Sequence, residues 1–151
     1  AFANGMEYFN TFGGNPVSCA IGKKVLEIIQ TNDLQQNAFT VGEYLKAGLN
    51  TLKTSYPIVA DVRGEGLFLG IELVDKNKTP LPFQTNYLAN RMKDHKILMS
   101  IDGPQHNVLK IKPPMCFSKA NADYLIDVMS KILKEDAMRV GEVEVCPEKS
   151  N

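Results

Sequence analysis

The chain of 151 residues is long enough for one ordinary domain, which would bury about two-thirds of its unfolded surface. Its 17 basic and 17 acidic side chains cancel, so charge gives no basis for expecting a nucleic-acid partner or an anionic membrane partner. No apolar run approaches the roughly 20 residues of a membrane span, and the first residues have neither the charged region nor the apolar core of a signal peptide.

A glycine-rich segment, Asn-Thr-Phe-Gly-Gly-Asn-Pro, precedes the first predicted helix. Asn15 is a strong helix N-cap residue, and Pro16 fits the first helical position. Gly13 and Gly14 allow the backbone to take positive φ angles before that helix. The hydroxyl of Thr11 then lies beside exposed backbone N–H groups, a place that suits a phosphate, although a plain loop-to-helix joint fits the same residues.

Apolar residues next recur at helical spacing in two stretches that a short polar turn separates. The first stretch contains Val17, Ala20, Ile21, Val25 and Ile28, and the second contains Leu34, Ala38, Val41, Leu45, Leu49 and Leu52. This periodicity predicts two consecutive amphipathic helices, the second ended by Pro57.

The rest of the chain alternates short apolar runs with helical patterns. The predicted strands cover residues 58–62, 67–74, 97–100 and 108–111. The first two would form a hairpin around a turn at residues 63–66, a helix around Tyr87 and Met92 would follow, and Ser118 would N-cap the final helix. This order predicts an α+β fold with helices covering a small, largely antiparallel sheet.

Three segments resemble, in the same order, motifs of class-III, fold-type-I aminotransferases that use pyridoxal phosphate. They are residues 9–20, 61–72 and 100–117, and the resemblance covers roughly residues 7 to 135. The third segment, which contains Leu-Lys-Ile-Lys-Pro-Pro, is similar to the phospho-lyase branch of that family, which acts on ethanolamine phosphate or phosphohydroxylysine.

The resemblance implies a domain organisation and a cofactor. Residues 1–14 would end the large domain, 15–32 would form an inter-domain helix, 33–139 the small C-terminal domain, and 140–151 a disordered tail. The cofactor would be pyridoxal phosphate, and the lysine that binds its aldehyde would lie before Ala1. We therefore expect this chain to be the C-terminal piece of a longer enzyme and to be inactive alone.

The resemblance also assigns cofactor contacts. The family counterpart of Thr11 reaches across a homodimer interface to the cofactor phosphate of the other subunit, and Gly13 and Gly14 would keep the backbone close. A turn threonine that is satisfied locally remains the alternative.

Two cations are candidate substrate contacts. Arg63 could hold a substrate anion, although an arginine beside glycine turns more commonly satisfies loop carbonyls. Many relatives that use carboxylate substrates have an arginine at the position of Lys110, and a lysine cannot reproduce its bidentate geometry but can serve as a point charge near a phosphate. The alternative places Lys110 and Lys112 on one solvated face at the edge of the sheet.

Three functional hypotheses follow. The first is a lyase that eliminates phosphate from a small phosphorylated amine such as ethanolamine phosphate. The second is a class-III transaminase acting on an amino acid or another amine, and the third is a non-catalytic α+β module that binds a ligand or a partner.

The cysteines bear on metal binding and on location. Three cysteines without metal-ligand spacing predict no metal site and favour a reducing, cytoplasmic compartment. Cys19 and Cys116 lie in apolar contexts that are typical of buried thiols.

Overall fold

The computed structural model describes Gly5 and residues 9–140 of the chain. In order, the elements are α1 (Pro16–Thr31), α2 (Leu34–Ser55), β1 (Val59–Glu65), β2 (Phe68–Leu73), α3 (Pro82–Asp94), β3 (Ser100–Asp102), β4 (Val108–Ile111), α4 (Lys119–Ile132) and a 3-10 turn (Asp136–Met138). They fall into two compact units, Ala1–Gln35 and Gln36–Asn151. No helix between residues 9 and 140 has the length and apolar character that crossing a membrane requires.

Helix α1 begins where the capping pattern predicts. The side chain of Asn15 accepts hydrogen bonds from the backbone N–H groups of Val17 at 3.0 Å and Ser18 at 3.1 Å. Pro16 occupies the first turn, where it lacks only a donor that has no partner within the helix. None of the residues of α1 is buried.

The four strands form one antiparallel sheet in the order β1-β2-β4-β3. Side chains alternate across it, so Leu69, Ile71 and Leu73 of β2 are buried, whereas the residues between them lie on the opposite, outer face. The predicted α+β class, with helices on a small antiparallel sheet, is confirmed.

The inner face of the sheet shares one apolar core with three helices. This cluster includes Leu45 and Leu49 of α2, Leu88 and Met92 of α3, and Met129 and Ile132 of α4, each at most 1% exposed. Helices α2 to α4 therefore cover the inner face and leave the outer face to other contacts.

The hairpin turn is tighter than the sequence predicts. Strand β1 continues through Arg63 to Glu65, which pairs with Phe68, so the predicted turn at residues 63–66 is wrong and only residues 66 and 67 connect the strands. Gly66 has a φ of +53°, which a glycine adopts without strain. Helix α2 approaches this turn so closely that a Cβ atom on Gly42 would lie 2.2 Å from the carbonyl oxygen of Gly66.

The third strand also lies further along the chain than predicted. Residues 97–99 precede β3, which pairs Ser100 with Lys110 and Asp102 with Val108. Lys96 has a φ of +63° and reverses the chain after α3, so residues 97–99 serve to reach the sheet.

Two further predictions have different outcomes. Cys19 and Cys116 are exposed, so the prediction of buried thiols is wrong. The predicted disordered tail, residues 140–151, lies outside the described residues except for Val140.

An ion-pair cluster joins α3 to the segment after α4. Arg91 donates to both carboxylate oxygens of Glu135, at 3.1 Å from Nε and 2.9 Å from Nη2, and the hydroxyl of Tyr87 donates to the same carboxylate at 2.6 Å. The hydrogen bonds from Arg91 lower the pKa of Glu135 to about 2.

This cluster predicts a pH dependence of stability. Because the folded pKa lies below the ordinary value of 4.5, the stabilisation is present above about pH 4.5 and is lost as the pH falls toward 2. Glu135→Gln should therefore flatten the acid limb of the free energy of unfolding, as measured by urea titrations at several pH values. An unchanged acid limb in this variant would contradict the prediction, and the exposed Glu27→Gln provides the control.

Candidate functional site

The first candidate region is the turn before α1. Thr11 is exposed, and its hydroxyl makes no hydrogen bond with any group within residues 9–140. The neighbouring backbone donors differ from the prediction, because the side chain of Asn10 accepts from the N–H groups of Phe12 and Gly13, both at 3.1 Å. Two of the backbone donors of this turn are therefore already paired, and a phosphate there would meet the hydroxyl of Thr11.

The two glycines of this turn have distinct conformational roles. Gly14 has a φ of +75°, which disfavours a side chain. A Cβ atom on Gly13 would lie 3.0 Å from the amide nitrogen of Asn10, so glycine leaves room for that side chain to cap the turn.

The second candidate region is the outer face of the sheet in the unit Gln36–Asn151. The strand register aligns Arg63 with Gly70, Gly70 with Lys110, and Lys110 with Ser100. Because residues directly opposite each other in a sheet share a face, these four form one row across all four strands. We call them the outer row, in which Gly70 separates the two predicted cations.

Arg63 is anchored by carboxylates and not by loop carbonyls. Its Nη1 donates to Asp61 at 3.0 Å and to Glu72 at 2.5 Å. The hydrogen bond from Arg63 lowers the pKa of Asp61, against a smaller opposing effect of burial. Among the described residues, nothing accepts from Nε or Nη2, which leaves three of the five guanidinium donors available.

Lys110 lies in an inner strand, since β4 is placed between β2 and β3. The interpretation of Lys110 as part of a solvated sheet edge is therefore wrong, and its side chain is 29% exposed. Its Nζ donates to Asp102 at 2.6 Å, and this hydrogen bond lowers the pKa of the Asp102 carboxyl. The ammonium retains two further donors.

A cavity of about 450 Å³ opens over three positions of the outer row, Arg63, Gly70 and Lys110. Arg63 and Lys110 both line it, and Gly70, Val108 and Asp102 contribute to its wall. Two cations with free N–H donors, beside one carboxylate, can bind an oxyanion.

A second cavity, of about 520 Å³, lies where α3 ends and β4 leads into α4. Its lining includes Lys112, Pro113 and Phe117, but none of the predicted site residues. We therefore place the candidate site at the cavity over Arg63, Gly70 and Lys110.

The sequence analysis overlooked Gly70 and Asp102. A lone glycine within an otherwise apolar strand pattern indicates a bulge or a place where a ligand or another backbone segment comes close. The sequence could therefore have identified Gly70 as a candidate site residue. The sequence could not have identified Asp102, because its ion pair with Lys110 depends on the register between β3 and β4.

Comparison with known proteins identifies close resemblances. Residues 2–133 match the family described as aminotransferase class-III. An alanine–glyoxylate aminotransferase 2-like protein of Drosophila melanogaster is 51% identical over 124 residues, which cover 80% of this chain and 25% of that protein. Ethanolamine-phosphate phospho-lyase homolog 1 of Caenorhabditis elegans is 38% identical over 129 residues, covering 83% of this chain and 28% of that protein. The chain thus spans about a quarter of the length of the curated relatives it matches.

Solved structures show the same fold. A phospholyase from Arthrobacter in complex with phosphoethanolamine matches with a TM-score of 0.80 and 38% identity, covering 83% of this chain and 30% of that one. An aminotransferase of Bacillus anthracis matches with a TM-score of 0.76 and 30% identity, covering 85% of this chain and 30% of that one. The predicted relation to fold-type-I enzymes is confirmed.

The predicted cytoplasmic location is contradicted. Alanine–glyoxylate aminotransferase 2 homolog 2 of Arabidopsis thaliana, 48% identical over 81% of this chain and 26% of that protein, is named as mitochondrial. The related enzyme of Pongo abelii, 38% identical over 89% of this chain and 27% of that protein, is also named as mitochondrial. Cysteine content reports a reducing environment and does not distinguish between such compartments.

Proposed function

Because this chain belongs to the class-III aminotransferase family, we propose that it is the C-terminal part of a pyridoxal-phosphate enzyme that eliminates phosphate from a phosphorylated amine. The observation that carries the proposal is that Lys110 lines a cavity. The family resemblance implies an arginine at this position in many relatives that use carboxylates. A point charge with free N–H donors suits a phosphate, and it lacks the planar pair of donors that grips a carboxylate. Similarity to a phospholyase complexed with phosphoethanolamine supports the same substrate class.

Each region would have one task. Residues 1–14 would complete the large domain, 15–32 would link the domains, and 33–139 would form the small domain that carries the substrate contacts. The cofactor supplies an electron sink for chemistry at the carbon that bears the amine. Lys110 would bind the phosphate of the substrate, and in doing so would hold the leaving group in place and offset its charge.

Thr11 fits a cofactor phosphate, since its hydroxyl has no partner within residues 9–140 and can donate without adding charge. We propose that Thr11 contacts the cofactor phosphate that the other subunit of a homodimer binds. The lysine that binds the cofactor aldehyde would lie in a part of the intact enzyme that this chain does not span.

Thr11→Val in the intact enzyme is expected to weaken cofactor binding by about 1–2 kcal/mol, the contribution of one hydrogen bond to a charged group. The measurement is the dissociation constant of pyridoxal phosphate from the apoenzyme, followed by absorbance. Thr11→Ser, which keeps the hydroxyl, is the matched control. Equal affinity in the valine variant and the wild type would remove Thr11 from the cofactor site.

A transaminase is the second candidate, favoured by the 51% identity to an alanine–glyoxylate aminotransferase 2-like protein. The non-catalytic module is set aside, because the family is one of enzymes.

A paired assay separates the two activities. The intact enzyme would be incubated with ethanolamine phosphate, and with alanine plus glyoxylate, while released phosphate and newly formed keto acid are measured. We expect phosphate release from the first substrate and poor amino transfer from the second. Efficient amino transfer without phosphate release would overturn the proposed function.

A further inference from the structure

Glycine at position 70 leaves an empty place between two cations. Gly70 pairs with Arg63 on one side and with Lys110 on the other, so all three positions share the outer face. Neighbouring strands lie about 5 Å apart, which puts the backbones of Arg63 and Lys110 about 10 Å apart. Two long side chains that flank an empty position can close on one ion between them.

The unused donors of the two cations match a single ion with several oxygens. Asp61 and Glu72 both accept from Nη1 of Arg63, which holds the guanidinium while Nε and Nη2 have no acceptor among the described residues. Lys110 uses one of its three donors on Asp102. Five N–H donors therefore remain on two side chains that line the same cavity.

Positive charge exceeds negative charge among the residues that line the cavity. Arg63 and Lys110 contribute two positive charges, and Asp102 is the one carboxylate in the lining. Asp61 and Glu72, which accept from Nη1 of Arg63, lie outside the lining and offset part of its charge. The side chain of Asp102 is 57% exposed, so water screens its charge more than it screens that of Lys110, which is 29% exposed.

A side chain at position 70 would occupy this space. A Cβ atom there would lie 3.3 Å from Cγ1 of Val108 and 3.9 Å from Cγ of Arg63. The methyl group of alanine would therefore occupy the space between the two cations, and a branched side chain would clash with the aliphatic part of Arg63.

We propose that Gly70 is a specificity-determining position, because it lets Arg63 and Lys110 bind one doubly charged, tetrahedral oxyanion together. This inference rests on the proposed function and extends it. Arg63 would then contact the substrate together with Lys110. The site would select its substrate by the charge and shape of the anion. A planar carboxylate has one charge and two oxygens, whereas the tetrahedral dianion has two charges and three oxygens, so the carboxylate would engage the two cations less completely.

The test compares two ligands that differ only in their anion. 2-Aminoethylphosphonate and β-alanine share a two-carbon amine, but the first ends in a tetrahedral dianion and the second in a carboxylate. Binding to the intact enzyme would be measured by titration calorimetry at a pH where the phosphonate is doubly ionised. We expect the wild type to bind the phosphonate at least about tenfold more tightly than β-alanine, the scale of one additional charged hydrogen bond.

Gly70→Val should abolish this preference by separating the two cations. Ser100→Val is the matched control, because Ser100 lies on the far side of Lys110 from Gly70 and does not line the cavity. Arg63→Gln should also abolish the preference, and it decides the question if circular dichroism shows that Gly70→Val does not fold.

The results discriminate between two failures. A wild-type preference that persists in Gly70→Val or in Arg63→Gln would overturn the two-cation site, as would a wild type with no preference. The phosphonate cannot release phosphate by the proposed elimination, since a carbon–phosphorus bond replaces the ester. Absence of phosphate release from ethanolamine phosphate would therefore overturn the proposed function and leave the binding result standing.

Discussion

Gly42→Ala is expected to lower the free energy of unfolding by about 3 kcal/mol, at the upper end of the usual cost of overpacking. The added Cβ atom would lie 2.2 Å from the carbonyl oxygen of Gly66 and 2.6 Å from its Cα atom. Both are backbone atoms of a two-residue turn, so the clash is relieved only by moving α2 away from the hairpin. That movement would loosen the contact of Leu45 with the core.

Gly48→Ala in the same helix is the matched control. Its Cβ atom would approach Cδ1 of Ile126, the mobile end of a side chain, at 2.3 Å. Rotation of that side chain relieves the contact, and alanine gains up to about 1 kcal/mol of helix propensity over glycine. Chemical unfolding followed by circular dichroism would compare both variants with the wild type. Equal stability of Gly42→Ala and the wild type would contradict the close approach of α2 to the turn.

Lys110→Met in the intact enzyme is expected to lower kcat/KM for phosphate release by about 10- to 100-fold, the loss of a hydrogen bond to a charged group. Methionine keeps much of the apolar stem and removes the ammonium, so the sheet should remain folded. Released phosphate would be measured at several concentrations of ethanolamine phosphate.

Two further variants sharpen this result. Lys112→Met removes a neighbouring charge that lines the second cavity and not the cavity over Gly70, and it should leave kcat/KM nearly unchanged. Lys110→Arg keeps the charge, and we expect no efficient transaminase from it, because this chain spans only about a quarter of the length of its curated relatives and one substitution in it leaves the rest of the enzyme unchanged. Wild-type kinetics in Lys110→Met would exclude Lys110 from the substrate site.

The helices and the sheet were predictable because local patterns determine them. Asn15 and Ser118 cap the helices that the sequence predicts, and Val41, Leu45 and Leu49 are buried as their spacing requires. These features depend on neighbouring residues, and the sequence contains that information directly.

The ends of the strands and the partners of the side chains were harder to predict from the sequence. The turn after Glu65 and the start of β3 at Ser100 depend on the pairing between strands, which the hydrophobic pattern of one segment does not determine. The ion pair between Lys110 and Asp102 follows from that register. Sequence reasoning therefore found the two cations and overlooked the glycine between them.

The sheet has two edges, and both discourage pairing with another molecule. Strand β3 has three residues, so it offers few unpaired backbone groups to an incoming strand. Strand β1 is longer, but its register shifts between Val59 and Asp61. Charged side chains follow along it, at Asp61, Arg63 and Glu65. Short, irregular and charged edges are the means by which natural sheets avoid intermolecular β-aggregation, so this unit should resist growth into fibrils while its sheet remains folded.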